Sequence, residues 1–284
     1  MAGLKQELRD LEIGVMFWAR RDKMGEIKAL GVRCGQLGIG PDVVLTRDFA
    51  WDWNAALEHT GLSIVTVVCA YKGEDYADIP TVQRTVGFIP SATRAERERR
   101  TRDASDLARA LGAGSIACHI GFVPDDRTDP GYIAVRDTVR RICDHAAANH
   151  QTFALETGQE PAETLLRFID DAGRGNLKIN FDPANMILYG TGDPIEAFAK
   201  LAPHVVSVHA KDGDWPPADR PGALGAEKPL GQGAVGIPAF VDAMKRAGYR
   251  GTIHVEREIE DQAQRLRDIR MAVQLLTNLA APRL

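Results

Sequence analysis

Eight short runs rich in Val, Ile and Phe recur along the chain, separated by longer segments of amphipathic character. This alternation limits the fold more than any other feature. The runs span residues 13–18, 32–37, 63–70, 115–120, 152–157, 177–182, 205–209 and 252–256. They are too short for typical helices and rich in β-formers, so they read as strands. The second, within GVRCGQLGIG, is the weakest because it is Gly-rich. Between the runs, Val135, Val139, Ile142 and Ala146 recur at helical spacing, as do Leu266, Ile269, Val273 and Leu276. Each set lays one apolar stripe along a helix that can cover a sheet. Asp129-Pro130 and Asp193-Pro194 place an N-cap carboxylate before a proline at the first helical position. Glu196 completes a capping-box-like arrangement with Asp193, and Thr93 with Glu96 marks another helix start. The arginine- and glutamate-rich run 94–102 reads as a solvated helix face of mixed charge.

Strand–helix alternation repeated eight times predicts an α/β fold with parallel strands. A (β/α)8 barrel needs roughly 250 residues, and the chain has 284. No repeat, low-complexity tract or linker divides it, so residues 1–284 read as a single barrel domain. An open doubly wound sheet is the competitor, but no GxGxxG follows the first run. Two long connections, 71–90 and 211–237, are expected over the C-terminal face as lids or binding loops.

The formal charge of −4 argues against a general nucleic-acid binder. No run of 18 apolar residues offers a membrane span. The N-terminal MAGLKQELRDLE is charged and lacks an apolar core, so no secretory signal is read and a cytoplasmic location is expected. Cys34, Cys69, Cys118 and Cys143 form no CxxC pair and read as small buried thiols of a reducing compartment.

The chemistry gathers where the late strands end. TFALE stops at Glu156, LKINFD at Asp182, VVSVH at His209 and TIHVE at Glu256. Each residue has a plain reading alone. Asp182 precedes Pro183 and suits an N-cap; His209 suits a hydrogen-bonded core; the two glutamates suit simple exposure. In a barrel, though, four consecutive strand ends converge on the face that carries active sites. Three carboxylates in one pocket need a cation to neutralise them. An oxygen-rich set with one imidazole favours one divalent cation, Mn²⁺ first, with Mg²⁺, Co²⁺ or Zn²⁺ also compatible. Nearby candidates for substrate binding are His119 at the fourth strand, Glu160 before Pro161, and Trp18, whose ring could stack on the apolar face of a sugar or belong to the core. His254 points to the same side as Glu256 and reads as core or support.

The segments LETGQE (155–160), NFDPANM (180–186), VHAKDG (208–213) and HVEREI (254–259) resemble the xylose-isomerase-like sugar isomerases and epimerases, a family that includes D-tagatose 3-epimerase and inosose dehydratase. The resemblance covers the chain from the fourth strand onward, and the first third only in outline. It implies that Glu156, Asp182, His209 and Glu256 bind the metal. It further implies that Glu156 and Glu256 are catalytic and move a proton between the faces of a keto sugar or related polyol ketone through a metal-bound enediolate. A small-molecule sugar partner, and a homodimer or homotetramer, are implied as well. Lys211 resembles the lysine of the HxKD form found in several branches, the alternative being an exposed loop lysine. Asn185 stands where ketose 3-epimerases of the family carry histidine, and Trp215 where they carry arginine. A free ketohexose is therefore not implied, although Asn185 can still bond a sugar oxygen. The alternative activity on the same scaffold is a metal-dependent lyase, an inosose dehydratase-like or 3-keto-glycoside/C-glycoside β-eliminase. An abasic-site endonuclease of the endonuclease IV kind would need more strand-end histidines than the seven in the whole chain provide. An inactive sugar-binding barrel would be expected to have lost a ligand.

Overall fold

All eight runs form parallel strands in the structure, a computed structural model that describes residues 11–281. Most of the N-terminal segment searched for a secretory signal therefore lies outside the described residues. The strands are β1 (Glu12–Trp18), β2 (Cys34–Ile39), β3 (Ser63–Cys69), β4 (Ser115–Cys118), β5 (Thr152–Glu156), β6 (Leu177–Phe181), β7 (Val205–Ala210), β8 (Asp212–Asp214), β9 (Ala226–Lys228) and β10 (Thr252–Val255). Eight of them close a barrel in the order β1-β10-β7-β6-β5-β4-β3-β2. Helices follow the barrel strands and form the outer layer, so the chain is a single-domain (β/α)8 TIM barrel. No helix among the described residues is long and apolar enough to cross a membrane.

Strand alternation separates two kinds of interior. Outward-facing residues pack against the helices and form the main core; Phe181 of β6, for example, meets Phe198 and Phe240 with ring centroids 5.2 and 5.7 Å away. Burying each such ring contributes about 1.5–3 kcal/mol. Inside the barrel, Met16, Val68, Ala117 and Ala154 make a small apolar cluster on one side. Gln36, from β2 between the strands of Met16 and Val68, is buried with Asn180, Ser207 and His209 of β6 and β7, and hydrogen bonds join the four. The barrel ladder shifts register at Gly35/Gln36 and at Ile179/Asn180, so both irregularities fall at members of this polar floor.

The helix over Ser91–Ala110 starts after Pro90 with no side-chain cap, two residues before Thr93. The arginine run 94–102 is also less solvated than its composition suggests. Arg94, Arg97 and Arg100 turn inward and donate to carbonyls of the loops after β2 and β3, among them those of Phe88, Gly87 and Gly40. Three arginines at three-residue spacing thus satisfy loop carbonyls that a barrel edge would otherwise leave unpaired. All four cysteines are buried and unpaired with one another.

Neither long connection is structureless. The first contains a helix, Ile79–Thr85. The second contains the antiparallel pair β8–β9. Asp212 organises this second connection: its carboxylate accepts from the backbone N–H groups of Gly213, Gly231, Gly233 and Val235 at 2.9–3.1 Å. A Cβ on Gly233 would lie 2.4 Å from Asp212 Oδ1, which explains glycine there. The two connections also meet. Ile79 N–H donates to Gly222 O at 2.9 Å, and Val82, Val86 and Tyr189 form a satellite apolar cluster with Ile79, Phe122 and Leu224.

Candidate metal centre

Strands β5, β6, β7 and β10 are neighbours in the barrel, so their C-terminal ends deliver four side chains to one point. Ligand atoms of Glu156, Asp182, His209 and Glu256 all lie within 4.8 Å of one another, and all four residues are buried. His209 Nδ1 is central. It lies 3.1 Å from Glu256 Oε2, 3.3 Å from Glu156 Oε1 and 3.6 Å from Asp182 Oδ2.

Asp182 satisfies both readings of its sequence position. Its Oδ1 accepts from Asn185 N–H at 3.0 Å and caps the helix Pro183–Tyr189. Its Oδ2 is buried without a hydrogen-bond partner. Thr157 ties β5 to β6 beneath it, accepting from Asp182 N–H at 2.8 Å and donating to Asp182 O at 3.0 Å. On the far side of the imidazole, His209 Nε2 is 2.7 Å from Gln36 Oε1, which can only accept. The shorter contact, to Gln36 rather than to Asn180 Nδ2 at 3.0 Å, places a proton on Nε2, and Nδ1 is the nitrogen that faces the carboxylates and would bind a cation once deprotonated. Gln36 is oriented in turn by donating to Asn180 Oδ1 at 3.1 Å, and Ser207 Oγ donates to the same oxygen.

These features fit a divalent cation. Two buried polar atoms without hydrogen-bond partners, His209 Nδ1 and Asp182 Oδ2, face the same point, and three carboxylates surround it. The donor set, three oxygens and one imidazole nitrogen, suits a single divalent cation. Without that charge the electrostatics are strained. Burial disfavours the charged imidazole, but Glu256 and Glu156 outweigh it and push His209 well above its ordinary range. Burial likewise raises Glu256 and Glu156. His209 and Lys211 reverse this for Glu256, and His119 and His209 reverse it for Glu156, holding both carboxyls low. Asp182 is held up by burial despite Lys211.

Glu156 and Glu256 face a cavity of about 390 Å³, lined also by Trp18, His119, Asn185 and Lys211. His119 Nε2 is 3.4 Å from Glu156 Oε1, and its Nδ1 meets Gln159 Nε2 at 3.1 Å. Asn185 Nδ2 donates to the same Glu156 oxygen at 3.2 Å. Lys211 is not an exposed loop residue. It is 5% exposed, with Nζ 3.0 Å from Glu256 Oε2 and 2.9 Å from Glu258 Oε2. Glu160 does not line the cavity; it is buried and accepts from Val123 N–H, and burial pushes its carboxyl up to about 7. Trp215 stands away from the cavity and is exposed. His254 is fully buried below the site, and burial drives its imidazole down to about 3.

Sequence reasoning passed over several residues here. Tyr76 approaches the His119 ring to 5.9 Å between centroids, from a connection with no motif to mark it. Glu258 shares the phase of Glu256 two residues on, a signal that was present in HVEREIE. Gln36 was hidden in the Gly-rich second run, although a lone amide among apolar strand residues is itself a sign of a buried polar contact.

A divalent-cation site at the C-terminal mouth of a TIM barrel is a catalytic arrangement, and the protein is an enzyme. The family model for xylose isomerase-like TIM barrels matches residues 25–279. Among solved structures, a xylose isomerase domain protein from Planctomyces limnophilus is 41% identical, with 95% of this chain and 97% of that chain covered and a TM-score of 0.91. A xylose isomerase-like TIM barrel protein from Mycobacterium smegmatis, solved in complex with magnesium, is 19% identical over 92% of this chain and 89% of that one, with a TM-score of 0.69. A D-allulose 3-epimerase from Methylomonas sp. is 15% identical over 96% and 99%, with a TM-score of 0.70; these last two likenesses speak to the fold. No curated protein sequence matches the chain. On the family match and the Planctomyces relative together, the chain belongs to the xylose isomerase-like TIM-barrel family.

Proposed function

We propose that the protein is a divalent-metal-dependent isomerase or epimerase of a keto sugar or related polyol ketone, with Glu156 and Glu256 as its proton-transfer groups and Mn²⁺ as the preferred metal. One observation carries this reading. The two glutamates approach the same His209 Nδ1 from strands β5 and β10, at 3.3 and 3.1 Å, and so flank whatever is held between them. A cation held by Glu156, Asp182, His209 and Glu256 would polarise the substrate carbonyl and acidify the adjacent C–H.

The remaining work falls to the side chains. One glutamate removes the proton from that carbon and the other returns one on the opposite face. Their surroundings differ, which lets one act as base while the other acts as acid. Glu156 receives Asn185 Nδ2–H and sits beside His119, whereas Glu256 is paired with the Lys211 ammonium. His119, Lys211 and Asn185 present hydrogen-bonding groups to the cavity and would hold substrate oxygens, with Trp18 against its C–H face. Elimination is the second reading, favoured by Lys211. An ammonium 3.0 Å from Glu256 is a cationic hydrogen-bond donor able to stabilise the charge that develops on a departing oxygen.

The test is a screen of metal-stripped protein, with and without Mn²⁺, against ketoses, inososes and 3-keto glycosides, with products resolved by mass and chirality. A Mn²⁺-dependent product of unchanged mass, absent with Glu256→Gln, is the expected result. Loss of water or of an aglycone would assign the lyase reaction instead. No turnover by protein that demonstrably binds Mn²⁺ would refute both.

A further inference from the structure

The wall of the cavity facing the metal ligands differs in kind from the ligand side. The barrel order sets β1 across from β5 and β3 across from β7, and these two strands contribute Met16, Trp18, Val68 and Cys69 to the cavity. Met16 and Val68 belong to the buried apolar cluster inside the barrel, with Trp18 packed on it. Cys69 is a neutral thiol: burial pushes it up to about 12, and its Sγ donates weakly to Ala70 O. Apart from the indole N–H of Trp18, this wall offers no strong hydrogen-bonding side chain. A sugar hydroxyl placed against Met16 or Val68 would give up water and gain no partner.

Charge gives an independent constraint. Three carboxylate ligands exceed the charge of one divalent cation, so the loaded centre remains negative. Lys211 is the one lysine or arginine lining the cavity among the described residues, and Glu256 and Glu258 already share its ammonium. The cavity-lining Glu74 adds no positive charge, and its oxygens accept from Tyr71 N–H and Gly87 N–H. The glycine amides of PLGQG, at 229–233, do not offer an anion cradle either, because Gly231 and Gly233 donate to Asp212.

We infer that the substrate is an uncharged keto polyol bearing an apolar substituent, with its oxygens on the cation side and the substituent on the Met16–Trp18–Val68 wall. A phosphorylated or carboxylated sugar is rejected. The inference rests on the keto-sugar reading for the polar end alone.

Calorimetry on the Mn²⁺-loaded enzyme tests it with three probes: the methyl and phenyl 3-keto-β-D-glucopyranosides, and the 6-phosphate of the methyl compound. The phenyl glycoside is expected to bind at least about tenfold more tightly than the methyl one, since its ring leaves water for an apolar wall. The phosphate is expected to bind more weakly than its parent. Val68→Thr, which keeps the side-chain shape and replaces one methyl with a hydroxyl, should narrow the phenyl-to-methyl ratio. Equal binding of phenyl and methyl probes, tighter binding of the phosphate, or no binding of any probe would overturn the inference. A phenyl preference with no turnover of any compound in the screen of ketoses, inososes and 3-keto glycosides would uphold the wall assignment while removing the isomerase reading, so the two fail separately.

Discussion

The C-terminal ends of β5, β6, β7 and β10 carry Glu156, Asp182, His209 and Glu256 at or within one residue of the last strand position, whereas β1 and β3 bring Met16, Trp18 and Val68 to the adjoining cavity. The first half is ionic and fixed by directed bonds; the second is apolar and fixed by packing. The ionic half is also not self-sufficient. Its histidine is oriented by Gln36, which arrives from β2 on the apolar side of the barrel. A metal centre built from the late strands therefore depends on one amide from an early strand.

The contrast can be broken most severely at Glu256. Glu256→Gln removes the proposed proton-transfer group and one carboxylate of the candidate metal site, and turnover should fall by about 10²–10⁴-fold in steady-state assays; near-normal turnover would take Glu256 out of the chemistry. Gln36→Leu tests the dependence across the barrel. Loss of the His209 partner should weaken Mn²⁺ by about 10–100-fold in a chelator competition, and an unchanged affinity would show that the imidazole is oriented without Gln36. Asp212→Ala strips the partner from four loop amides. At roughly 1–3 kcal/mol for a buried group left unpaired, and roughly 2–4 °C per kcal/mol for a domain of this size, melting should drop by several degrees in scanning calorimetry.

A smaller effect concerns protons. His209 is raised by Glu256 and Glu156 against burial. In metal-free protein its charged form therefore contributes stability below the ordinary histidine pKa, and that contribution is lost as pH rises through the raised one. Mn²⁺ must displace this proton, so affinity should climb with pH, and binding at neutral pH should release about one proton. Titration calorimetry in buffers of different ionisation enthalpy reads this directly; a release of zero would mean that His209 is already neutral. The smallest effect sharpens the contrast from the apolar side. Val68→Thr should leave Mn²⁺ affinity within about twofold, as for sites without shared partners. A larger change would show that the two halves are coupled through more than Gln36.

The ionic half was legible in the sequence because its residues are chemically marked and sit at the ends of strands that periodicity reveals. The number of barrel strands followed from the same periodicity, whereas their closed order did not, since an open doubly wound sheet has the same alternation. The apolar half was not legible. Met16 and Val68 are indistinguishable by type from the residues that pack beneath the helices, and only the closed barrel shows which alternate positions face inward. Glu160 and Lys211 mark the limits of local reasoning. Glu160 was singled out for a weak cap but braces the Val123 amide, and Lys211, for which an exposed loop position was equally open, is buried between two carboxylates. Burial of this kind is set by segments far away in the chain. The arginines at 94, 97 and 100 are a similar case: their mixed-charge surroundings suggested solvent, but the carbonyls they satisfy belong to loops whose path the sequence does not reveal.

The meeting of the two long connections has a consequence for how this enzyme can change. Leu224 from one shares a small apolar cluster with Val82 and Val86 from the other, and Ile79 N–H bonds Gly222 O between them. Replacing either connection with that of a relative would uncover apolar side chains on the one left behind. The pair is thus the unit of exchange: a graft that moves 71–90 and 211–237 together keeps its own seam, whereas a graft of one must rebuild it.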